Sequence, residues 1–234
     1  IDSDPEAEYR ECGWKARFLN DLRPDFGIFE TMRVEDKQCR LLDLHLGRLN
    51  CSAQALNLTW PQNAAEQIQH YIDALPSGLF RVKAALFSDG LALSHAAVSE
   101  LDGKQYVILS EHALSQRDYL RRFKTTRREI FDQAWKTAEG QGAFDSLLFN
   151  SDGLLLEGGR SNVFVKYQGQ WLTSSLDLDI LNGVMRQAVL RQPKLYLGAD
   201  TIKETHITRA MFENAEEIRL SNALRGVFAV SLRK

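Results

Sequence analysis

Leu46, Leu49, Ala53 and Leu56 recur at helical spacing, while the runs on either side of them do not. The spacing predicts a helix over 43–58, set among short β-rich runs. Phe29 to Val34 precedes it; Gly78 to Phe87, Leu91 to Val98 and Tyr106 to Ser110 follow. Cys39 to Leu42 reads as a further strand after the polar turn Glu35-Asp36-Lys37, and Asp89-Gly90 reads as a hairpin turn. A second helix is expected over 63–74, stopped by Pro76-Ser77-Gly78. Helices set against such strands make the first half a sheet with two helices, an α+β unit.

The second half begins near Asp118. A helix is expected from Arg127 to Glu139, with strands at Ser146 to Asn150 and Leu154 to Leu156 joined by Ser151-Asp152-Gly153. Further strands are Asn162 to Lys166 and Trp171 to Thr173, around Gln168-Gly169, then Glu217 to Ser221 and Gly226 to Leu232. Short helices are expected from Gly183 to Leu190 and from Thr208 to Asn214, the latter capped by Thr208. The sequence shows no internal repeat and no low-complexity segment.

The 234 residues are 44% hydrophobic, enough for one large domain or two small ones. A net charge of −2 gives no broad attraction to nucleic acid or a membrane surface. No apolar run is long enough to span a bilayer, and the acidic start is not a secretory signal. Cys12, Cys39 and Cys51 have neither zinc-site nor disulfide-framework spacing, which suggests a reducing cytoplasm.

Three features carry chemistry: Lys124 in a basic run from Leu120 to Arg128, Glu157 at the end of Leu154-Leu155-Leu156, and the turn Asn182-Gly183-Val184-Met185-Arg186. Together with Phe29-Glu30-Thr31-Met32-Arg33 and Leu220 to Gly226, they resemble, from about Phe26 to the C-terminus, the fold-type-IV pyridoxal-phosphate enzymes. That group holds branched-chain and D-amino-acid aminotransferases and aminodeoxychorismate lyases. The strongest resemblance is to the lyase domain fused behind the chorismate-binding subunit of para-aminobenzoate synthase. It implies a two-domain α+β architecture, with a small domain over 21–114 and a larger, barrel-like cofactor domain over 115–234.

The resemblance also implies roles. Lys124 holds the cofactor aldehyde and then acts as acid and base. Other cations beside a buried lysine lower its pKa and keep the amine free. Glu157 faces the pyridine nitrogen, and a protonated ring is the better electron sink. Arg48, in His45-Leu46-Gly47-Arg48-Leu49, is suited to forking on phosphate. Gly183 and Val184 offer amides at a helix start, and Ser221 and Asn222 add donors. Thr31 reaches the reacting centre. A dicarboxylate substrate needs cations, for which Arg81, Lys83, Arg160 and Arg225 are candidates. His45 has no assigned role. Two positions depart from the family pattern: Asn182 stands where many relatives have proline, and Gly158-Gly159-Arg160-Ser161 replaces a turn containing serine or threonine.

Residues 1–20 read as a separate piece. Ser3-Asp4-Pro5-Glu6 is a helix start, and Ile1 to Ala16 resembles the closing motif of chorismate-using enzymes. There the glutamates matching Glu8 and Glu11 help to hold magnesium. Two carboxylates alone make no magnesium site, so none is expected here, and the segment reads as the tail of an upstream chorismate-binding domain in a longer bifunctional protein.

The activity implied is pyruvate elimination from 4-amino-4-deoxychorismate, giving para-aminobenzoate for folate synthesis, by a homodimer fused to or associated with the synthase. The rivals are an aminotransferase for branched-chain or D-amino acids and a non-catalytic docking domain.

Overall fold

The computed structural model describes residues 25–233, so the expected N-terminal helix and chorismate-type motif lie outside the described residues. β1 (Ile28–Glu35), β2 (Leu79–Phe87) and β3 (Gly90–Ala97) form an antiparallel sheet in the order β1-β2-β3. Helices α1 (Leu42–Ala55) and α2 (Ala64–Asp73) cover one face of it. Alternation along β1 explains the packing: Ile28, Met32 and Val34 enter a core with Leu49, Ala53, Ile68 and Ile72, while Phe29 and Thr31 line a cavity. Each fully buried aliphatic side chain contributes about 1.5–3 kcal/mol.

An eight-stranded sheet makes up most of the rest. β4 (Gln105–Leu109), β5 (Asp145–Phe149), β6 (Leu155–Gly158), β7 (Asn162–Tyr167), β8 (Gln170–Ser174), β9 (Ile202–Thr205), β10 (Glu217–Asn222) and β11 (Gly226–Leu232) run in the order β6-β5-β4-β11-β10-β7-β8-β9. The pairs β11–β4, β4–β5 and β8–β9 are parallel, and the others are antiparallel. The sheet curls until its ends meet. Ser174 Oγ of β8 donates to the Leu155 carbonyl of β6 at 2.8 Å, and Leu155 N donates to the Ile207 carbonyl at 2.8 Å. Val163, Val165, Leu147 and Leu220 fill the inside of the curl. On the outside, α3 (Glu129–Gly140) packs on Leu148 and Leu156, and α4 (Val184–Arg191) with α5 (Pro193–Leu197) packs on Phe164 and Trp171.

The α+β class expected from the sequence is the one found. Two strand readings are corrected. Cys39–Leu42 is not a strand: Asp36 and Lys37 take positive φ (47° and 65°), Gln38 closes back on Glu35, and α1 starts at Leu42. Tyr106–Ser110, grouped by sequence with the first sheet, is β4, a central strand of the large one. The sequence reading also missed α5 and the edge strand β9, of which no residue is buried. Thr208 does cap α6 (Arg209–Glu213), accepting from Met211 N at 3.2 Å.

Candidate active site

A cavity of about 650 Å³ lies between the three-stranded sheet and the large one. Lys124 enters it from an extended segment after the 3-10 turn Tyr119–Arg122, which Asp118 caps. Two backbone bonds fasten this segment to the start of β1: Phe29 N donates to the Lys124 carbonyl at 2.9 Å, and Thr126 N donates to the Gly27 carbonyl at 2.8 Å. Gly27 N donates to Thr126 Oγ1 at 3.0 Å. The Phe29 ring then sits 4.7 Å from Lys124 Nζ, so one residue steadies both the backbone and the amine.

Glu157, the penultimate residue of β6, is buried, and its Oε1 accepts from Leu181 N at 3.0 Å. Burial pushes its carboxyl up to about 7. Lys124 moves the other way: burial, then the positive charges of Arg128 and Arg48, press it down to about 7. Burial thus lowers the amine and raises the carboxyl within one cavity, which brings both groups into the range where they exchange protons.

The anionic end of a cofactor would meet the start of α4. The first bond within this turn of helix is Gln187 N to the Gly183 carbonyl, so the amides of Val184, Met185 and Arg186 precede the ladder. Gly183 itself gives its amide to the Leu181 carbonyl at 2.9 Å, so it shapes the turn and does not offer the donor expected of it. A Cβ there would run into Asn162 Oδ1, so any larger residue would have to displace the Asn162 side chain. Ser221 lines the cavity, and its buried Oγ has no hydrogen-bond partner among the described residues. Asn222 is committed to its own turn, accepting from Arg225 N at 2.8 Å and donating to the Arg160 carbonyl at 3.3 Å. A buried orphan hydroxyl, helix-start amides, an arginine, a buried carboxyl and a deprotonatable lysine are the donor set that pyridoxal phosphate requires.

Thr31 and Lys83 are paired across β1 and β2 on the roof of the cavity, with Arg81 two residues along. Neither Arg81 nor Lys83 is in an ion pair with a described residue, and Lys83 Nζ lies 4.7 Å from the Phe29 ring. Two other expected cations are committed elsewhere. Arg160 lines the cavity but gives Nε and Nη2 to the Phe144 carbonyl (3.1 and 2.6 Å) and stacks on Trp135 and Phe144. Arg225 lies off the lining and donates to the Ser99 carbonyl.

Arg48 lines the cavity, but its fork is already taken. Nε and Nη2 each lie 2.7 Å from the carboxylate of Glu30, leaving Nη1 on the Asn182 carbonyl at 3.2 Å. His45 Nδ1 is 2.7 Å from the same carboxylate. Sequence reasoning missed Glu30, although a glutamate in the inward row Ile28, Glu30, Met32, Val34 was a readable signal. It also missed Arg128, which lines the cavity while bonding Asp132 and the Gly159 carbonyl (both 2.7 Å). Asp145, fully buried, holds the Gly159–Ser161 turn behind Glu157 through Ser161 Oγ (2.5 Å) and Arg160 N (3.1 Å). Among the described residues no cluster of histidine, cysteine and carboxylate could hold a metal, and no helix is long and apolar enough to cross a membrane.

Known proteins resemble this chain in sequence and fold. A Schizosaccharomyces pombe protein provisionally named aminodeoxychorismate lyase is 26% identical over 207 residues, covering 86% of this chain and 87% of its own. A Mesorhizobium loti structure, provisionally described as an amino-acid aminotransferase, is 28% identical, with a TM-score of 0.79 over 89% of this chain and all of that one. A Legionella pneumophila structure, provisionally described as a 4-amino-4-deoxychorismate lyase, shares the fold at 20% identity, with a TM-score of 0.78 over 92% of this chain and 90% of that one. Residues 27–232 match the family model "Amino-transferase class IV", and the chain belongs to that family of fold-type-IV, pyridoxal-phosphate-dependent enzymes.

Proposed function

We propose that this chain is a 4-amino-4-deoxychorismate lyase, which releases pyruvate and forms para-aminobenzoate for folate synthesis. The observation that carries the reading is the cavity roof. Arg81 and Lys83, without ionic partners among the described residues, stand two apart on one strand within the same cavity as Lys124. That spacing, roughly 6.5 Å along a strand, suits a substrate with two carboxylates better than a monocarboxylate amino acid. The name of the S. pombe relative supports the same reading.

Val184, Ser221 and Arg48 would hold the cofactor at its phosphate end, and Glu157 at its ring nitrogen, while Asn222 shapes the turn beside them. When bound, the cofactor supplies an electron sink for the carbon that loses a proton. Lys124, a free amine above about pH 7, takes the proton from the amine-bearing ring carbon. Thr31 lies at the reacting centre, and Arg81 and Lys83 fix the carboxylates, so the ring carbon stays within reach of Lys124. The carbon–oxygen bond to the enolpyruvyl group then breaks. The departing group takes back the proton as pyruvate, and the ring becomes aromatic. Substrate and the two products balance without water.

The proposal extends to a homodimer in the cytoplasm, fused to or associated with a synthase that makes the substrate, a context supported by the resemblance of Ile1 to Ala16 to chorismate-using enzymes. The second reading is an amino-acid aminotransferase, favoured by the 28% identity to the M. loti chain. The deciding experiment supplies aminodeoxychorismate to the cofactor-loaded protein with no 2-oxo acid. Equal amounts of pyruvate and para-aminobenzoate are expected. No release, with turnover of amino acids against a 2-oxo acid, would replace the lyase by the aminotransferase.

A further inference from the structure

Glu30 is a charged residue in an apolar row. It is 2% exposed, and its neighbours on the inward face of β1 are Ile28 and Met32. A carboxylate in such a place needs compensation from opposite charge and hydrogen bonds. Both come from α1. Arg48 closes a fork on it, Nε to Oε1 and Nη2 to Oε2, each at 2.7 Å, and His45 Nδ1 lies 2.7 Å from Oε2. His45 and Arg48 are three residues apart, on one face of the helix.

The fork determines where the rest of the guanidinium goes. Nη1 turns away from Glu30, reaches the Asn182 carbonyl at 3.2 Å, and so joins α1 to the turn before α4. The side chain is 12% exposed and lines the cavity. An arginine without the fork would sample many rotamers and lose that freedom when an anion arrives. Held by the fork, it meets the anion already placed.

We infer that Glu30, steadied by His45, is a positioning residue for Arg48, fixing its guanidinium so that the open edge faces the phosphate of the cofactor. The inference rests on the reading that Arg48 meets that phosphate. Burial favours a neutral Glu30, but Arg48 and His45 outweigh it and hold the carboxyl at about 2, so the fork is ionised at any working pH. Glu30 also balances the charge of Arg48. Recognition at this point then depends on where the N–H groups are held more than on net positive charge.

Pyridoxal phosphate and pyridoxal differ only in the phosphate ester, so the ratio of their dissociation constants reads the phosphate site alone. The ratio is measured by absorbance titration of the cofactor-free protein and of the Glu30→Gln, Arg48→Met and double variants. Glu30→Gln is expected to weaken pyridoxal phosphate by about tenfold or more while leaving pyridoxal within about twofold. In the Arg48→Met background the same change should add nothing. If Arg48→Met lowers the ratio and Glu30→Gln does not, the positioning role is overturned while the Arg48 reading stands. If Arg48→Met leaves the ratio intact, the Arg48 reading falls and takes the inference with it. Equal weakening of both ligands by Glu30→Gln would mark general damage and would also overturn the role. Should Glu30→Gln fail to fold, Glu30→Asp keeps the charge but is too short to close the fork. A partial fall in its ratio supports the inference, and an unchanged ratio overturns it.

Discussion

Glu30 and Glu157 are both buried glutamates on strands, 2% and 5% exposed, yet their environments pull them in opposite directions. Glu30 is gripped by Arg48 and His45 and held at about 2; Glu157 has one backbone N–H, from Leu181, and is pushed up to about 7. Burial is common to both, so burial does not separate a structural carboxylate from a reactive one. A counter-charge within hydrogen-bonding reach does. Glu30 is locked ionised and works through geometry. Glu157 faces a cavity containing Lys124, itself near 7, and is left able to exchange a proton with what enters.

The largest expected effect removes the amine on the Glu157 side. Lys124→Ala should reduce pyruvate release by about 10⁴-fold or more, with loss of covalently attached cofactor in the visible spectrum. Retained attachment would remove Lys124 from its role and revive the docking-domain alternative.

On the other side, Glu30→Gln strips the counter-charge from Arg48 and should cost about 3–5 kcal/mol of stability at neutral pH, read by urea unfolding. A loss well below 1 kcal/mol would mean that water or a rearranged partner replaces the carboxylate. Glu157→Gln should do the opposite. Stability of the cofactor-free protein should hold or rise at pH 8, while pyruvate release drops roughly a hundredfold or more.

The two glutamates also predict opposite pH slopes. The folded pKa of Glu157 lies above its ordinary value, so folded protein binds the extra proton, and this contribution to stability falls as pH rises from about 4.5 to about 7. The folded pKa of Glu30 lies below its ordinary value, so its contribution is present above about 4.5 and is lost as pH falls toward 2. Unfolding curves across this range, compared with those of Glu157→Gln and Glu30→Gln, should show each slope vanish in its own variant. Lys124 adds a rate effect: kcat should rise with pH through about 7, as the amine set free by the bound substrate loses its proton. The smallest effect tests the excluded cation. Arg225→Ala, off the cavity, should change stability by no more than about 0.5 kcal/mol and leave KM for substrate unaltered.

Most secondary-structure elements were legible because their signals are local. The leucines of α1 declare a helix face, the alternation of β1 declares a strand, and Thr208 marks a helix start. The family was legible as well, from four short motifs in order along the chain, and the family model matched over residues 27–232 agrees. Tertiary structure alone decided which partners each group met. Nothing in Tyr106–Ser110 states that it pairs with β11 and β5, since a strand's alternation describes its faces and not its edges. Arg48, Arg160 and Arg225 look alike in sequence. One is forked by Glu30, one caps Phe144, and one leaves the cavity altogether. A long flexible side chain carries its charge several bonds from the backbone, so its destination depends on the acceptors that distant segments bring near. The division between the two glutamates has the same origin: the chain specifies a carboxylate, and the folded surroundings set the energy of its charge.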